Sequence, residues 1–344
     1  MFGIFLAFLL LSFIAPCEKI FFLMGLQPDV IDNAICFILP IFVGLPIFTS
    51  TTISSAIFRG IGDTKTPLKI LSTSLILNAI LAPLFIFGIF FPQMGISGGA
   101  LATILCQTFA ALVSIYLLKK RKIVNNSRFL DFNSFKEIFK IGSPIAVNGV
   151  IFCVVYLFLS RVIAPFGTSA IAALGIGHRI ESISYCISLG FSIAATTLVG
   201  QNIGAKNNKR AIDIVWKTLL YLGSIIALIS IMVLLFKEQI AMLFSSEPDV
   251  IKNAVLYLIA IGTTEVFLGF EVVMEGVFSG LGNTLPPTII GLPINILRVP
   301  IAYYSSKYFG IAGIWWTIGL TTVLKGLILV LWFKKLSKSS VYLK

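Results

Sequence analysis

Apolar runs of about twenty residues, the length of a helix that spans the ~30 Å hydrocarbon core of a bilayer, recur from one end of this chain to the other. Hydrophobic residues make up 58% of the 344 residues and charged residues only 12%, too few to cover a water-soluble fold. Open sheet edges are not tolerated in lipid, and the runs lack the alternation of a barrel. The sequence therefore predicts an all-α polytopic membrane protein.

Glycines, prolines and charge clusters divide the apolar sequence into ten predicted transmembrane helices. They cover residues 2–16, 33–57, 67–91, 95–118, 138–163, 169–200, 213–236, 253–280, 285–304 and 309–333. Eighteen Lys and Arg residues lie in one set of alternate loops, which includes Arg59 and the C-terminal tail, and four lie in the opposite set. Because positive charge is retained on the cytoplasmic side, we predict a cytoplasmic C-terminus. The same rule accounts for the net charge of +12, and no nucleic-acid partner is expected.

An internal repeat organises the chain, with two segments repeated at an offset of 220 residues and one at 215. They are Arg59–Pro67 with Ser279–Pro287, Pro28–Ala34 with Pro248–Ala254, and Gly95–Gly98 with Gly310–Gly313. Both copies of the first segment face the predicted cytoplasmic side. The repeat therefore predicts two parallel helical lobes rather than inverted ones.

The segments 59–67 and 279–287, called the repeated turns below, each join two predicted helices. We expect both glycines of each turn to take positive φ and end one helix, and Thr66-Pro67 or Pro286-Pro287 to start the next. Such a turn either only connects helices or also forms a gating contact between moving bundles. The residues concerned are Gly60, Gly62, Asp63 and Pro67, with Gly280, Gly282, Asn283 and Pro287.

The two lobes differ in length, since six predicted helices follow residue 137 and only four precede it. The offset places the start of a complete first lobe about 83 residues before Met1. We therefore expect an N-terminally truncated version of a twelve-helix protein, or a start codon assigned too late. The predicted domains are an incomplete N-lobe (1–118), a basic cytoplasmic linker, either plain or with an amphipathic segment (119–140), a C-lobe (141–335) and a cytoplasmic tail (336–344).

Several segments together resemble the multidrug and toxic compound extrusion (MATE) family of secondary transporters. They are Phe58–Pro67, Ile176–Asn207, and Leu297–Pro300 with Gly313–Trp316. The resemblance implies two six-helix lobes in a V and the export of organic, often cationic compounds in exchange for Na⁺ or H⁺. We expect a monomer in the cell membrane with no cofactor besides the coupling ion. The family's first two helices, with an acidic residue that couples ions in some members, have no counterpart in this sequence.

Ionisable residues inside bilayer helices are functional candidates because they are costly to bury. The predicted spans contain the acids Glu181, Glu265, Glu271 and Glu275, and the bases Arg161, Arg179, Arg298 and Lys325, all in the second lobe. Glu271 and Glu275 lie one helical turn apart, and Glu265 points about 80–120° away from them. Neighbouring carboxylates favour a protonated or cation-bound state, which makes these acids ion-coupling candidates. Alternatively, Arg161, Arg298 and Lys325 neutralise them in structural pairs.

Other polar residues of the second lobe are candidates for the substrate cavity. His178 and Glu181 share one helix face, either in a functional site or as an exposed pair near the outer end of a long helix. Asn148, Tyr156 and Tyr185 are able to orient a flat organic cation in an apolar, aromatic cavity, or to pack as ordinary helix residues.

Three other functions compete with export. No enzyme is expected, because the sequence contains no HExxH, DDxxD or Walker motif. A flippase for lipid-linked sugars would need a strongly basic cavity to hold a pyrophosphate, which four acids and four bases do not provide. The last alternative is a non-transporting remnant produced by truncation.

Overall fold

The computed structural model describes residues 28–89, 92–123 and 132–338, and every regular element in those ranges is helical. The predicted span 2–16 lies outside them, and the nine other predicted spans fall on helices. By length and hydropathy, seven helices of the described chain are able to cross a membrane, or eight if one bent pair counts as a single crossing. The protein is therefore an all-α polytopic membrane protein. The chain divides into two compact units between Phe135 and Lys136.

The first unit contains helices α1 (Pro28–Val43), α2 (Leu45–Gly60), α3 (Lys65–Phe87) and α4 (Ile96–Lys120). The single predicted span 33–57 is in fact α1 and α2, which meet at Gly44 with a bend of 53°. Pro40 lies inside α1 and Pro46 at the start of α2. Proline removes a helical N–H and clashes with the preceding turn, so this pair of prolines accounts for the bend.

The helices that follow are α5 (Phe132–Ile163), α6 (Thr168–Gly204), α7 (Asn208–Leu235), the short α8 (Lys237–Phe244), α9 (Pro248–Gly280) and α10 (Leu285–Lys338). The repeat aligns α9 with α1 and α2, but α9 is continuous, because Ala260 and Val266 stand where the first unit has its two prolines. From residue 132 onward, the predicted amphipathic segment forms the first turns of α5.

Helix α10 is a hairpin rather than one rod. As a straight helix its 54 residues would extend about 81 Å, but Gly310 leaves the helical region with φ 58° and ψ −146°. Beyond it the chain returns, because Arg298 Nε donates to Thr321 Oγ1 at 2.8 Å. The two arms correspond to the predicted spans 285–304 and 309–333. Gly95, the repeat partner of Gly310, adopts φ 55° and ψ −133°, so this repeated sequence has the same backbone in both units.

The two repeated turns also share one backbone conformation. Gly62 and Gly282 have φ of 86° and 71°, and the residue after each donates to a carbonyl five residues back, at 2.9 Å from Asp63 and 3.0 Å from Asn283. The expectation of positive φ at Gly60 and Gly280 is wrong, because each is the last residue of a helix.

The prediction that Thr66 caps the helix after the first repeated turn is wrong, because this helix begins at Lys65, and Asp63 is the side chain that bonds to its first turn. Asp63 Oδ1 accepts from the Thr66 amide at 2.9 Å, and Arg121, just beyond α4, places Nη1 2.6 Å from Asp63 Oδ2. Hydrogen bonds from the Thr66 hydroxyl and amide, and then from Arg121, hold the pKa of Asp63 at about 2, below its ordinary value of 3.8. The side chain of Asp63 therefore ties the turn to the end of α4.

The absence of a side chain at Gly280, and at Gly276 one turn earlier, is needed where α9 crosses α6. A Cβ at Gly276 would lie 2.3 Å from Ser192 Oγ and 2.4 Å from Ser192 O, and one at Gly280 would lie 2.7 Å from Thr196 O. Ser192 Oγ donates to Val272 O at 2.7 Å, and Thr196 Oγ1 to Gly276 O at 2.8 Å. Small residues and interhelical hydroxyl bonds of this kind hold membrane helices at close range.

Candidate functional site

The second unit contains a cavity of about 900 Å³ whose walls come from α5, α6, α9 and both arms of α10. It brings together three of the four predicted acids, two of the predicted bases and all three predicted polar residues of the substrate cavity. These residues are Glu181, Glu271 and Glu275, Arg298 and Lys325, and Asn148, Tyr156 and Tyr185.

Helical spacing places these side chains on shared faces. On α6, His178, Glu181 and Tyr185 follow one another at intervals of three and four residues and all line the cavity. On α9, Glu271 and Glu275 are one turn apart and line it as well. The alternative of an exposed His178–Glu181 pair is therefore wrong, because both side chains face the cavity.

Glu271 forms an ion pair with Lys325 of the second arm of α10. Lys325 Nζ lies 2.5 Å from Glu271 Oε1, and the two side chains are only 3% and 11% exposed. Because two opposite charges meet in an apolar interior, each removes most of the cost of burying the other. Glu271 Oε2 has no hydrogen-bond partner among the described residues.

Glu275 has a weaker set of partners than Glu271. Its Oε1 accepts from Asn148 Nδ2 at 3.4 Å, and no Lys or Arg of the described chain lies within 4.0 Å of its carboxylate. Asn148 Oδ1 is buried and has no partner among the described residues. Glu275 therefore lines the cavity without a charged partner, and Glu271 Oε2 and Asn148 Oδ1 are buried acceptors that no donor of the described chain satisfies.

Glu181 accepts a hydrogen bond from Tyr257, a residue that sequence reasoning missed. Tyr257 Oη lies 3.2 Å from Glu181 Oε2, and its fully buried ring packs at 4.8 Å edge-on against Trp315. A Cβ at Gly177 would lie 2.0 Å from this ring, so only glycine fits there. Nothing in the sequence pairs residues 181 and 257, which are 76 positions apart.

Three of the predicted charged residues do not line the cavity, namely Glu265, Arg161 and Arg179. Glu265, on a different face of α9 from Glu271 and Glu275, is 6% exposed and faces a separate void of about 10 Å³ beside Ser184 and Ser230. Arg161 is exposed near the end of α5 and forms no ion pair with the described residues.

Arg298 is 1% exposed and lines the cavity, but its contacts are hydroxyl groups rather than carboxylates. Its Nε donates to Thr321 Oγ1 at 2.8 Å and its Nη2 to Thr322 Oγ1 at 3.1 Å. Sequence reasoning missed both threonines, and also Asn295, one turn before Arg298 on the same arm. Their positions in apolar spans were the available signal, since a polar residue buried in a membrane helix needs a partner.

A comparison with known proteins identifies relatives over most of the chain. The family model MatE matches residues 1–84 and 144–304. A probable multidrug resistance protein, NorM of Thermotoga maritima, is 33% identical over 85% of this chain and 64% of its own length. The probable multidrug resistance protein YpnP of Bacillus subtilis is 29% identical over 81% of this chain and 63% of its own length. The matched region of this chain thus spans less than two thirds of these two relatives.

Solved structures show the same fold. A mutant of the Vibrio cholerae MATE transporter VcmN superposes with a TM-score of 0.88, covering 99% of this chain and 78% of that one at 22% identity. A MATE crystal structure in the straight conformation also reaches 0.88, over 98% of this chain and 77% of that one at 20% identity.

Proposed function

Since the chain belongs to the MATE family, we propose that the protein is a secondary active transporter that exports organic compounds, above all cations, by antiport with Na⁺ or H⁺. The observation that carries the proposal is the cavity of about 900 Å³ in the second unit, which places three carboxylates among aromatic and apolar side chains. The named relatives are transporters, and we propose no enzymatic role.

The substrate proposal follows from the cavity lining. Asn148, Tyr156 and Tyr185 supply hydrogen-bonding groups and two aromatic rings, which suit a flat organic molecule with positive charge. Three acids face two bases in the lining, so the charged side chains balance in favour of a cationic guest.

For ion coupling, we assign the main role to Glu275. Glu271 already has the ammonium group of Lys325, and Glu181 has the Tyr257 hydroxyl, whereas Glu275 has only the Asn148 amide at 3.4 Å. A carboxylate in an apolar cavity is stabilised by a proton, by Na⁺ or by a cationic substrate. Because one carboxylate holds one of these at a time, ion and substrate displace each other, which is the requirement for exchange.

The two alternative functions, a flippase and a non-transporting remnant, predict different properties of the cavity. A flippase for lipid-linked sugars would need a basic lining for its pyrophosphate, but the acids Glu181, Glu271 and Glu275 outnumber the bases Arg298 and Lys325. A non-transporting remnant would retain the cavity without gradient-driven transport. The distribution of Lys and Arg supports a C-terminus in the cytoplasm. We further propose that the transporter is a monomer in the cell membrane.

The proposal is tested by transport in proteoliposomes. The purified wild-type protein should accumulate a fluorescent organic cation under an imposed H⁺ or Na⁺ gradient and release it when an ionophore collapses that gradient. Glu275→Gln should abolish the gradient-driven part of the uptake. Glu265→Gln is the matched control, because Glu265 lies on the same helix but faces the separate void.

Two results would contradict the proposal. Gradient-driven uptake by Glu275→Gln, with an unchanged dependence on pH and Na⁺, would exclude Glu275 as the coupling group. A wild-type protein that is folded but shows no gradient-driven uptake of any organic cation would support the remnant.

A further inference from the structure

Arg298 and Lys325 are the two bases that line the cavity, and they differ in their contacts. Arg298 is 1% exposed, and none of the ion pairs within 4.0 Å in the described chain includes it. Fully buried arginines are rare unless they are paired with an acid. Lys325, on the facing arm of α10, shows the usual arrangement with Glu271 at 2.5 Å.

Two threonines fix the orientation of the guanidinium group without cancelling its charge. The Thr321 hydroxyl donates to Thr317 O at 2.7 Å, and the Thr322 hydroxyl donates to Ile318 O at 3.0 Å. Because their protons are used in this way, both hydroxyl oxygens are available as acceptors and receive Nε and Nη2 of Arg298. These contacts use two of the five N–H groups of the guanidinium.

A second polar group stands beside Arg298 without a partner. Asn295 precedes Arg298 by three residues, so the two side chains share one face of the helical arm. Asn295 is 2% exposed, its Oδ1 has no hydrogen-bond partner among the described residues, and it also lines the cavity. This oxygen only accepts hydrogen bonds, so it suits an N–H group or the positive end of a ligand and not a carboxylate.

We propose that Arg298, held by Thr321 and Thr322, is an anion subsite that receives the carboxylate of a zwitterionic organic substrate. The planar fork of a guanidinium matches a carboxylate with two parallel hydrogen bonds. The same cavity presents Glu275 and Glu181 to the positive end of such a molecule. A single carboxylate also fits the lining better than a doubly charged phosphate, because the acids already outnumber the bases.

This inference rests on the proposed function, because it names a substrate class for the same cavity. It also separates two roles for Arg298. If Arg298 only balanced the field of Glu181 and Glu275, a substrate would gain nothing from carrying a carboxylate. If Arg298 is a subsite, the carboxylate adds affinity that depends on the guanidinium.

The test compares rhodamine B, which carries a free carboxylate and is zwitterionic at neutral pH, with its ethyl ester, which is a cation of nearly the same shape. Binding of each dye to the purified protein is measured by fluorescence anisotropy. The wild-type protein should bind the acid at least as tightly as the ester. In Arg298→Gln, the acid should bind about tenfold or more weakly, the loss expected for a charged hydrogen-bonded contact, whereas the ester should bind more tightly because a buried like charge is gone.

Two further variants guard against a folding defect and a general charge effect. Arg298→Lys keeps the charge but loses the fork, so the acid should weaken by an intermediate factor and the ester should stay unchanged. Arg161→Gln removes an exposed arginine outside the cavity and should change the affinity of neither dye by more than about twofold.

The outcomes distinguish the subsite from the proposed function. Binding of the ester by wild-type protein with much weaker binding of the acid would overturn the subsite and leave the transporter proposal intact. An equal effect of Arg298→Gln on both dyes would also overturn it. Binding of neither dye by folded wild-type protein would count against both proposals.

Discussion

Replacing Lys325 by Met should destabilise the protein by about 3–5 kcal/mol, because it leaves the buried carboxylate of Glu271 without its partner. The pair is suited to this test, since Nζ and Oε1 are 2.5 Å apart and the side chains are 3% and 11% exposed. Methionine is apolar and close to lysine in length, so the packing of α10 against α9 changes little. The loss of stability therefore measures the effect of leaving the Glu271 charge unpaired.

A double-mutant cycle isolates the interaction. Glu271→Gln combined with Lys325→Met removes both charges, so the double variant should recover most of the stability that Lys325→Met loses. Lys217→Met is the matched control, because Lys217 and Asp213 form a pair at 2.8 Å whose side chains are 59% and 57% exposed. Exposed pairs of this kind contribute at most about 0.5 kcal/mol.

The assay is thermal unfolding in detergent followed by tryptophan fluorescence, to which the fully buried Trp315 contributes. A loss of about 3–5 kcal/mol corresponds to a fall in Tm of roughly 6–20 °C for a unit of this size, and the control should shift by about 2 °C or less. If Lys325→Met unfolds within about 2 °C of the wild type, a change of about 1 kcal/mol or less, the buried pair does not stabilise the fold as argued. The same conclusion follows if the double variant is no more stable than Lys325→Met.

Three further predictions concern the helices around the site. Gly276→Ala should lower Tm by roughly 2–12 °C, because the new methyl group meets the Ser192 backbone. Gly190→Ala is the control, since a Cβ there meets no atom within 4 Å and should leave Tm unchanged or raise it, and equal behaviour of the two variants would contradict the close crossing. Protection of the first repeated turn against hydrogen exchange should be constant above about pH 4 and should fall as the pH drops towards 2. The reason is that the pKa of Asp63 is held at about 2 in the folded protein, so Asp63→Asn should remove this pH dependence. Gly310→Ala should cost about 1–3 kcal/mol by denaturant unfolding, because φ 58° with ψ −146° is strained for any residue with a Cβ, and an unchanged midpoint would argue against the hairpin geometry.

The main features of the fold were predictable because they depend on properties that act along the chain. A segment that spans lipid without closing into a barrel has to be a helix. This rule allowed nine of the predicted spans to be matched to helices of the described residues. The repeat predicted that Gly95 and Gly310 are equivalent, and both have the same unusual backbone angles. The bend at Gly44 was also accessible in principle, since Pro40 and Pro46 flank it.

Local patterns were less informative about the reason for each glycine. Gly62 and Gly282 provide the positive φ of the repeated turns, as the sequence indicated. Gly280 has the same motif position as Gly60, but Gly280 is required by the approach of Thr196 O, whereas a Cβ at Gly60 would meet nothing within 4 Å. The two uses of glycine are indistinguishable until the neighbouring helix is in place.

The sequence by itself determined which residues are costly to bury. In the structure, three of the four acids and two of the four bases of the second lobe line one cavity, together with the three polar residues expected there. Helical periodicity also placed Glu265 away from Glu271 and Glu275. Only the tertiary structure decided the partners, because side chains from different helices meet through packing rather than through spacing along the chain. Lys325 pairs with Glu271 across 54 residues, Tyr257 bonds to Glu181, and Arg298 donates to the hydroxyl groups of Thr321 and Thr322.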